Sequence, residues 1–284
     1  MSKIQVITDT DSNLSLELAK EYGIILVPIT IQFGEESFAD NIDIQNPALF
    51  EKIDKIGKLP TTAAPSPASF ANAYRESFDG GAESIICITV GSKISRTFES
   101  AINAVEEFPG KKITVIDSEF LSMGQGYMAI TAVEMIKAGA SHDEAVAKVR
   151  NLIPRCILYG SLSTLKYLAL GGRVSNLAAS MANMLNIRPI LSMREGKLDL
   201  LEKVRTRKVA MDRLVELLVS AVGNKSVERI CIIHVLNIAD GEFLQAKLAE
   251  KLQLPTQIDF IDFGPGLSVH AGVGLVGAVI VTGE

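Results

Sequence analysis

The first half of this chain alternates between two kinds of segment, and that alternation limits its fold more than any other feature. Short apolar runs rich in β-branched residues occur at IQVITD (4–9), ILVPITIQF (25–33), SIICITV (84–90) and KITVID (112–117). Between them lie stretches with helical spacing at 14–22, 47–56, 67–78 and 97–108, the last with Ala101, Ile102, Val105 and Phe108 on one face. Two more helical stretches follow near 122–138 and 142–152, and Ser141 with Glu144 forms a capping box at the start of the second. Where the runs lose polar alternation they read as strands buried on both faces. Strand, helix, strand in series predicts right-handed βαβ units and a mostly parallel sheet with helices on both faces.

After Pro154 the rhythm changes. CILYGSL, RPILSM, KLDLLE, RICIIHV and TQIDFIDF read as strands, and Glu195-Gly196 between two of them predicts a hairpin turn. Helices over 206–222 and 239–252 fill the gaps, the first with Met211, Leu214, Val215, Leu218 and Val222 on one face. This half predicts a mixed sheet with helices. The reading is therefore an α/β protein of two domains, 1–152 and 153–284, a size that 284 residues accommodates.

Composition excludes several function classes. A net charge of −5 with scattered basic residues offers no footprint for a nucleic-acid backbone. No window reaches ~18 uninterrupted apolar residues, so no membrane span is expected. Cys87, Cys156 and Cys231 each sit inside an apolar run with no CxxC pairing, which predicts buried free thiols and a reducing, cytoplasmic setting. The opening residues run straight into a strand pattern without a signal-peptide layout.

Five features carry candidate chemistry. Asp9-x-Asp11 stands at the carboxyl end of the first strand, where α/β folds place ligand sites. It admits two readings: Asp11 or Ser12 capping a helix that starts near Leu14, or the acid pair of a Mg-dependent phosphohydrolase, whose pattern Asn13 breaks. GVGLVG (272–277) has dinucleotide-motif spacing, yet too little chain follows to supply a ribose-binding acid, so it reads as close packing or an anion-cradling turn. Hydroxyls gather at predicted helix starts in PTTAAPSP (60–67) and VGSKISRTF (90–98). One per loop suffices as a cap, and the surplus points to an anion or carboxylate site. His142 reads as exposed, His234 as structural, and His270 lies in a Gly-rich loop running into a short apolar helix, where a ligand can approach closely. KVRTRK (203–208) reads as a solvated helix start or a docking patch for an acidic partner.

Together these segments resemble the DegV family of bacterial fatty-acid-binding proteins. TDTDSN resembles the family's opening TDS, TTAAPSP its T-S-Q-P-S loop, and SKISRTFESA its S-x-L-S-G-T-Y-x-S-A segment. LGGRVS followed by NIRPIL resembles its G-G-R-[IV] and K-P-I-L pair, and KVRTRKVA and GPGLSVHAGVG its basic stretch and closing His-containing motif. The resemblance implies a two-domain α/β fold with a fatty acid held in a tunnel between the domains. It implies a non-catalytic carrier, without cofactor or metal, whose bound carboxylate an ATP-dependent fatty acid kinase subunit phosphorylates for phospholipid synthesis. By the same resemblance Thr62, Ser95 and His270, with Ser92 and Arg96 beside them, hold the carboxylate. Arg173, Gly266 and Gly272 belong to tunnel and loop, and Arg205 docks the kinase. The chain departs from the family at Ala63 and Ala64 in place of Ser-Gln, at Arg96 in place of Gly, at Phe98 in place of Tyr, and at Val273 in place of Pro.

Overall fold

The fold is that of a computed structural model, which describes residues 3–171 and 187–284. The chain divides into two compact α/β units, Met1–Asp43 with Thr62–Pro154, and Ile44–Thr61 with Arg155–Glu284.

In the first unit the elements run β1 (Ile4–Asp9), α1 (Leu16–Tyr22), β2 (Ile25–Val27), β3 (Thr30–Phe33) and β4 (Glu36–Ala39). The chain then passes through α2 (Asn46–Ile56), which belongs to the second unit, and β5 (Thr61–Ala63). It continues with α3 (Pro67–Asp79), β6 (Ser84–Thr89), α4 (Thr97–Val105), β7 (Lys112–Asp117), α5 (Met123–Lys137) and α6 (His142–Leu152). β2, β1, β6 and β7 form a four-stranded parallel sheet in that order. Ile7, Ile85 and Cys87 turn to one face, where Phe70, Tyr74, Ala101 and Ala104 of α3 and α4 close over them. α5 and α6 pack on the opposite face. Burial on both sides is why β6 carries no polar alternation.

The expected strand 25–33 is instead two pieces separated by Pro28 and Ile29, because proline supplies no N–H to a ladder. The second piece turns back through Gly34 as an antiparallel hairpin, β3 with β4, in a small sheet ordered β4-β3-β5. The helix after β1 starts later than expected and is capped by Ser15, whose Oγ accepts the Leu18 N–H at 3.1 Å. Neither Asp11 nor Ser12 is its cap: they lie in a single 3₁₀ turn (Thr10–Ser12) that Asp9 caps. The Ser141–Glu144 capping box is present in full. His142, expected at the surface, is buried, its ring between Ser84 Oγ (2.9 Å) and Thr114 Oγ1 (2.7 Å).

The second unit contains β8 (Cys156–Ser161), α7 (Lys166–Gly171), β9 (Arg188–Arg194), β10 (Lys197–Val204), α8 (Arg207–Val222) and β11 (Val227–His234). α9 (Ile238–Ala249), β12 (Asp259–Asp262), α10 (Pro265–Ala271) and β13 (Val276–Thr282) complete it. Its sheet runs β10-β9-β8-β13-β11-β12, with β11–β12 the parallel pair. The mixed sheet expected from the sequence is therefore present. Glu195 (φ 49°) and Gly196 (φ 75°) make the β9–β10 turn, both central residues in the left-handed region that a tight hairpin requires. Met211, Leu214, Leu218 and Val222 of α8 pack on Ile230, Ile232, Ala278 and Ile280.

The segment after His270 departs from expectation. His270 lies in α10, and the apolar run beyond it is β13, a central strand rather than a helix. Gly277 explains the ambiguity: a Cβ there would lie 2.5 Å from the Tyr159 carbonyl oxygen, so the strand tolerates only glycine where it presses against β8. The glycines of GVGLVG are therefore packing residues. Gly272 (φ 76°) abuts the Tyr167 ring, 2.2 Å from an added Cβ.

Candidate functional site

In the four-stranded sheet β1 has β2 on one side and β6 on the other, so the connections diverge at β1 and β6. Ligands in open α/β sheets bind beyond the carboxyl ends of the strands at such a point. Asp9 closes β1 there, the turn after it carries Asp11 and Ser12, and the loop after β6 carries Ser92, Ser95 and Arg96.

Asp9 is fully buried. Its Oδ1 accepts the Asp11 N–H at 3.0 Å and its Oδ2 accepts the Val90 N–H at 2.8 Å. Burial pushes its carboxyl up from 3.8 to about 6, against the lowering effect of hydrogen bonds from Val90, Gln125 and Asp11. Gln125 also donates to Thr8 Oγ1 at 2.8 Å, and Thr8 Oγ1 donates to the Ile88 carbonyl at 2.7 Å. A phosphohydrolase nucleophile needs an oxygen open to substrate, and both Asp9 oxygens face backbone amides in a buried pocket. The Asp9/Asp11 alternative is thus without support.

The β6 loop is held by three successive amides. Val90 donates to Asp9, Gly91 to the Phe120 carbonyl at 2.8 Å, and Ser92 to Asp117 Oδ1 at 3.0 Å. Ser95 and Thr97 hydroxyls share a hydrogen bond at 2.8 Å, and Ser95 Oγ accepts the Thr97 N–H at 3.3 Å. Arg96 points along the exposed first turn of α4, its Nε donating to Glu99 Oε2 at 2.9 Å. Ser92, Ser95 and Arg96 therefore share one loop. Thr62 stands half-buried on β5 of the small sheet. In the neighbouring stretch Ser66 is the α3 cap, accepting the Ser69 N–H, so the hydroxyls of that loop divide between capping and strand positions.

His270, Gly266 and Gly272 lie on or beside α10 in the second unit. Gly171 packs on the His270 ring: a Cβ added there would fall 2.3 Å from Nδ1. Arg205 is exposed in the turn between β10 and α8, while Arg207 pairs with buried Asp240 and Lys208 with Asp212 at 2.7 Å. Arg173 lies outside the described residues. Among the described residues no group of three His, Cys, Asp or Glu side chains is placed to hold a metal, and no helix is long and apolar enough to cross a membrane. The carboxylate anchors Asp9 and Asp117 were not singled out as loop anchors from sequence, although an Asp closing a parallel strand is a signal that both display.

A family model described as "Uncharacterised protein, DegV family" matches residues 3–283. The chain belongs to the DegV family. A DegV domain-containing protein of Listeria monocytogenes is 31% identical over 275 residues, 97% of each chain. A fatty-acid-binding DegV-family protein from Thermus thermophilus has the same fold at a TM-score of 0.91, with 27% identity and 99% of both chains covered. A fatty-acid-binding DegV-family protein from Streptococcus agalactiae matches at a TM-score of 0.91 and 26% identity over all of both chains. The two-domain DegV-like α/β reading of the sequence is the fold observed.

Proposed function

We propose that this DegV-family chain is a cytoplasmic carrier that holds a long-chain fatty acid. In this reading it presents the carboxylate to an ATP-dependent fatty acid kinase subunit for acyl-phosphate formation, and has no catalytic activity of its own. The observation that carries the reading is the near-complete structural match to DegV proteins that bind fatty acids. Physical chemistry supports it. A C16 chain buried at ~0.8 kcal/mol per CH₂ gains on the order of 10 kcal/mol before ordering and desolvation are subtracted. A carboxylate taken out of water needs donors, and Thr62, Ser92 and Ser95 are neutral hydroxyl donors, with His270 as the imidazole. Such donors leave an oxygen free to attack the γ-phosphorus of ATP. Arg96, paired to Glu99, stands outside this donor set, and Arg205 is the exposed cation offered to the kinase.

Native mass spectrometry of freshly purified protein, followed by extraction of whatever is released, tests the reading. A stoichiometric C14–C18 acid is expected; protein that is empty and also refuses added palmitate would overturn it. The double substitution Thr62→Ala with Ser95→Ala should weaken palmitate binding by ~1–3 kcal/mol per lost bond, and an unchanged affinity would remove both residues from the site. Arg205→Glu should leave lipid binding intact and abolish coupling to the kinase. Retained coupling would refute the docking assignment.

A further inference from the structure

The β6 loop is held in a manner that packing alone does not require. Its first three amides each meet a different acceptor: Val90 meets the Asp9 carboxylate, Gly91 the Phe120 carbonyl, and Ser92 the Asp117 carboxylate. Both carboxylates also take a second amide from their own strand's turn. Asp9 Oδ1 accepts Asp11 N–H at 3.0 Å, and Asp117 Oδ1 accepts Glu119 N–H at 2.9 Å. Gly91 lies close against the Glu119 and Phe120 backbone, which a Cβ added there would meet at 3.2 Å. From Gly91 the loop folds back on itself, with the Ile94 and Ser95 amides donating to the Gly91 carbonyl, each at 3.1 Å. Ser95 thus inherits its place from Gly91, and Gly91 sits between the two carboxylate-held amides.

Asp9 is fully buried and Asp117 half-buried, and burying an acid such as Asp9 where a neutral acceptor would fit is costly unless its charge is fully hydrogen-bonded. Breaches of this kind concentrate where function fixes geometry. We propose that Asp9 and Asp117 are positioning residues for head-group binding: they clamp the β6 loop from the ends of β1 and β7 and so fix the Ser92 and Ser95 hydroxyls. The clamp touches no ligand. It deepens the fatty-acid reading and rests on it, because a hydroxyl held in place before the ligand arrives loses less freedom on binding.

The two anchors differ in a way that makes the proposal testable. Asp9 uses both oxygens, one for each amide, whereas Asp117 receives both amides on Oδ1. An Asn side chain has a single acceptor oxygen, so it can replace Asp117 but not Asp9. The experiment measures palmitate affinity for the full chain and for Ser95→Ala, Asp9→Asn, Asp117→Ala and Asp117→Asn, together with the amide proton resonances of Asp11, Val90 and Ser92. Asp9→Asn and Asp117→Ala should each weaken binding about tenfold, the equivalent of one displaced hydrogen bond. Asp117→Asn should recover most of the affinity lost in Asp117→Ala, and the Val90 and Ser92 amides should move only in the variants that lose affinity. Should Asp9→Asn fail to fold, the two Asp117 variants carry the test unaided. Palmitate binding by the full chain, weakened by Ser95→Ala but untouched by Asp9→Asn and Asp117→Ala, refutes the clamp alone. Failure of the unsubstituted chain to bind palmitate refutes the carrier reading instead.

Discussion

Asp9 gives a pH-dependent stability that can be worked through in numbers. Its folded-state carboxyl titrates at about 6 against 3.8 for an unperturbed aspartate. A raised acid stabilises the folded chain while it is protonated. That contribution is complete below about pH 3.8 and is lost as pH rises through about 6. The difference between about 6 and 3.8 corresponds to about 3 kcal/mol, most of which falls between pH 4 and 7.5. Asp9→Asn removes the titration and also breaks one amide hydrogen bond, but the broken bond costs the same at every pH. The stability of the natural chain relative to this variant should therefore fall by about 2–3 kcal/mol from pH 4 to 7.5. Urea unfolding at four or five pH values across that range measures it, and the other titrating groups cancel in the difference. A pH-independent difference, or one that grows toward neutral pH, would show that Asp9 is not a buried acid raised by desolvation.

Two shorter predictions follow from packing and burial. Gly277→Ala should destabilise the chain by about 1–3 kcal/mol or more, because the clash is with the Tyr159 and Gly160 backbone of β8 rather than with a side chain that can swing away; an unchanged denaturation midpoint would contradict the pairing of β13 with β8. Burial, with Lys112 adding to it, holds the His142 imidazole below its usual 6.5. The stability from neutral His142 is present above pH 6.5 and lost as pH falls through the depressed value, so its ring resonances should titrate below 6.5, and a midpoint at or above that figure refutes the buried placement.

Much of the fold was legible because long-range order left local marks. Short apolar runs between helical stretches gave the parallel sheet, and Ser141 with Glu144 gave a helix start to the residue. What escaped reading depended on contacts between distant segments. β13 and a short helix share the same apolar composition, and only its place between β8 and β11 decides between them. His142 begins a polar helix turn, yet Ser84 and Thr114, each about 30 residues or more away, enclose its ring. At the candidate site the hydroxyl clusters were visible as a surplus over capping needs. Asp9 reads from sequence only as half of a possible acid pair with Asp11, because its Val90 partner lies 81 residues on and no local pattern announces that bond.

The position of β13 bears on how the second unit is made in the cell. This strand follows every other strand of its sheet in the chain, yet it lies between β8 and β11. Roughly 120 residues separate β8 from β13, on the order of ten seconds of synthesis at ribosomal rates. During that interval β8–β10 and β11–β12 can form only as two partial sheets, each with an apolar edge awaiting the same missing strand. Arg155, at the start of the unit's longer segment, donates to the Thr282 carbonyl at 2.7 Å, so closure also fastens the beginning of that segment to its last strand. A nascent chain stalled before Val276 would expose two pairing edges at once.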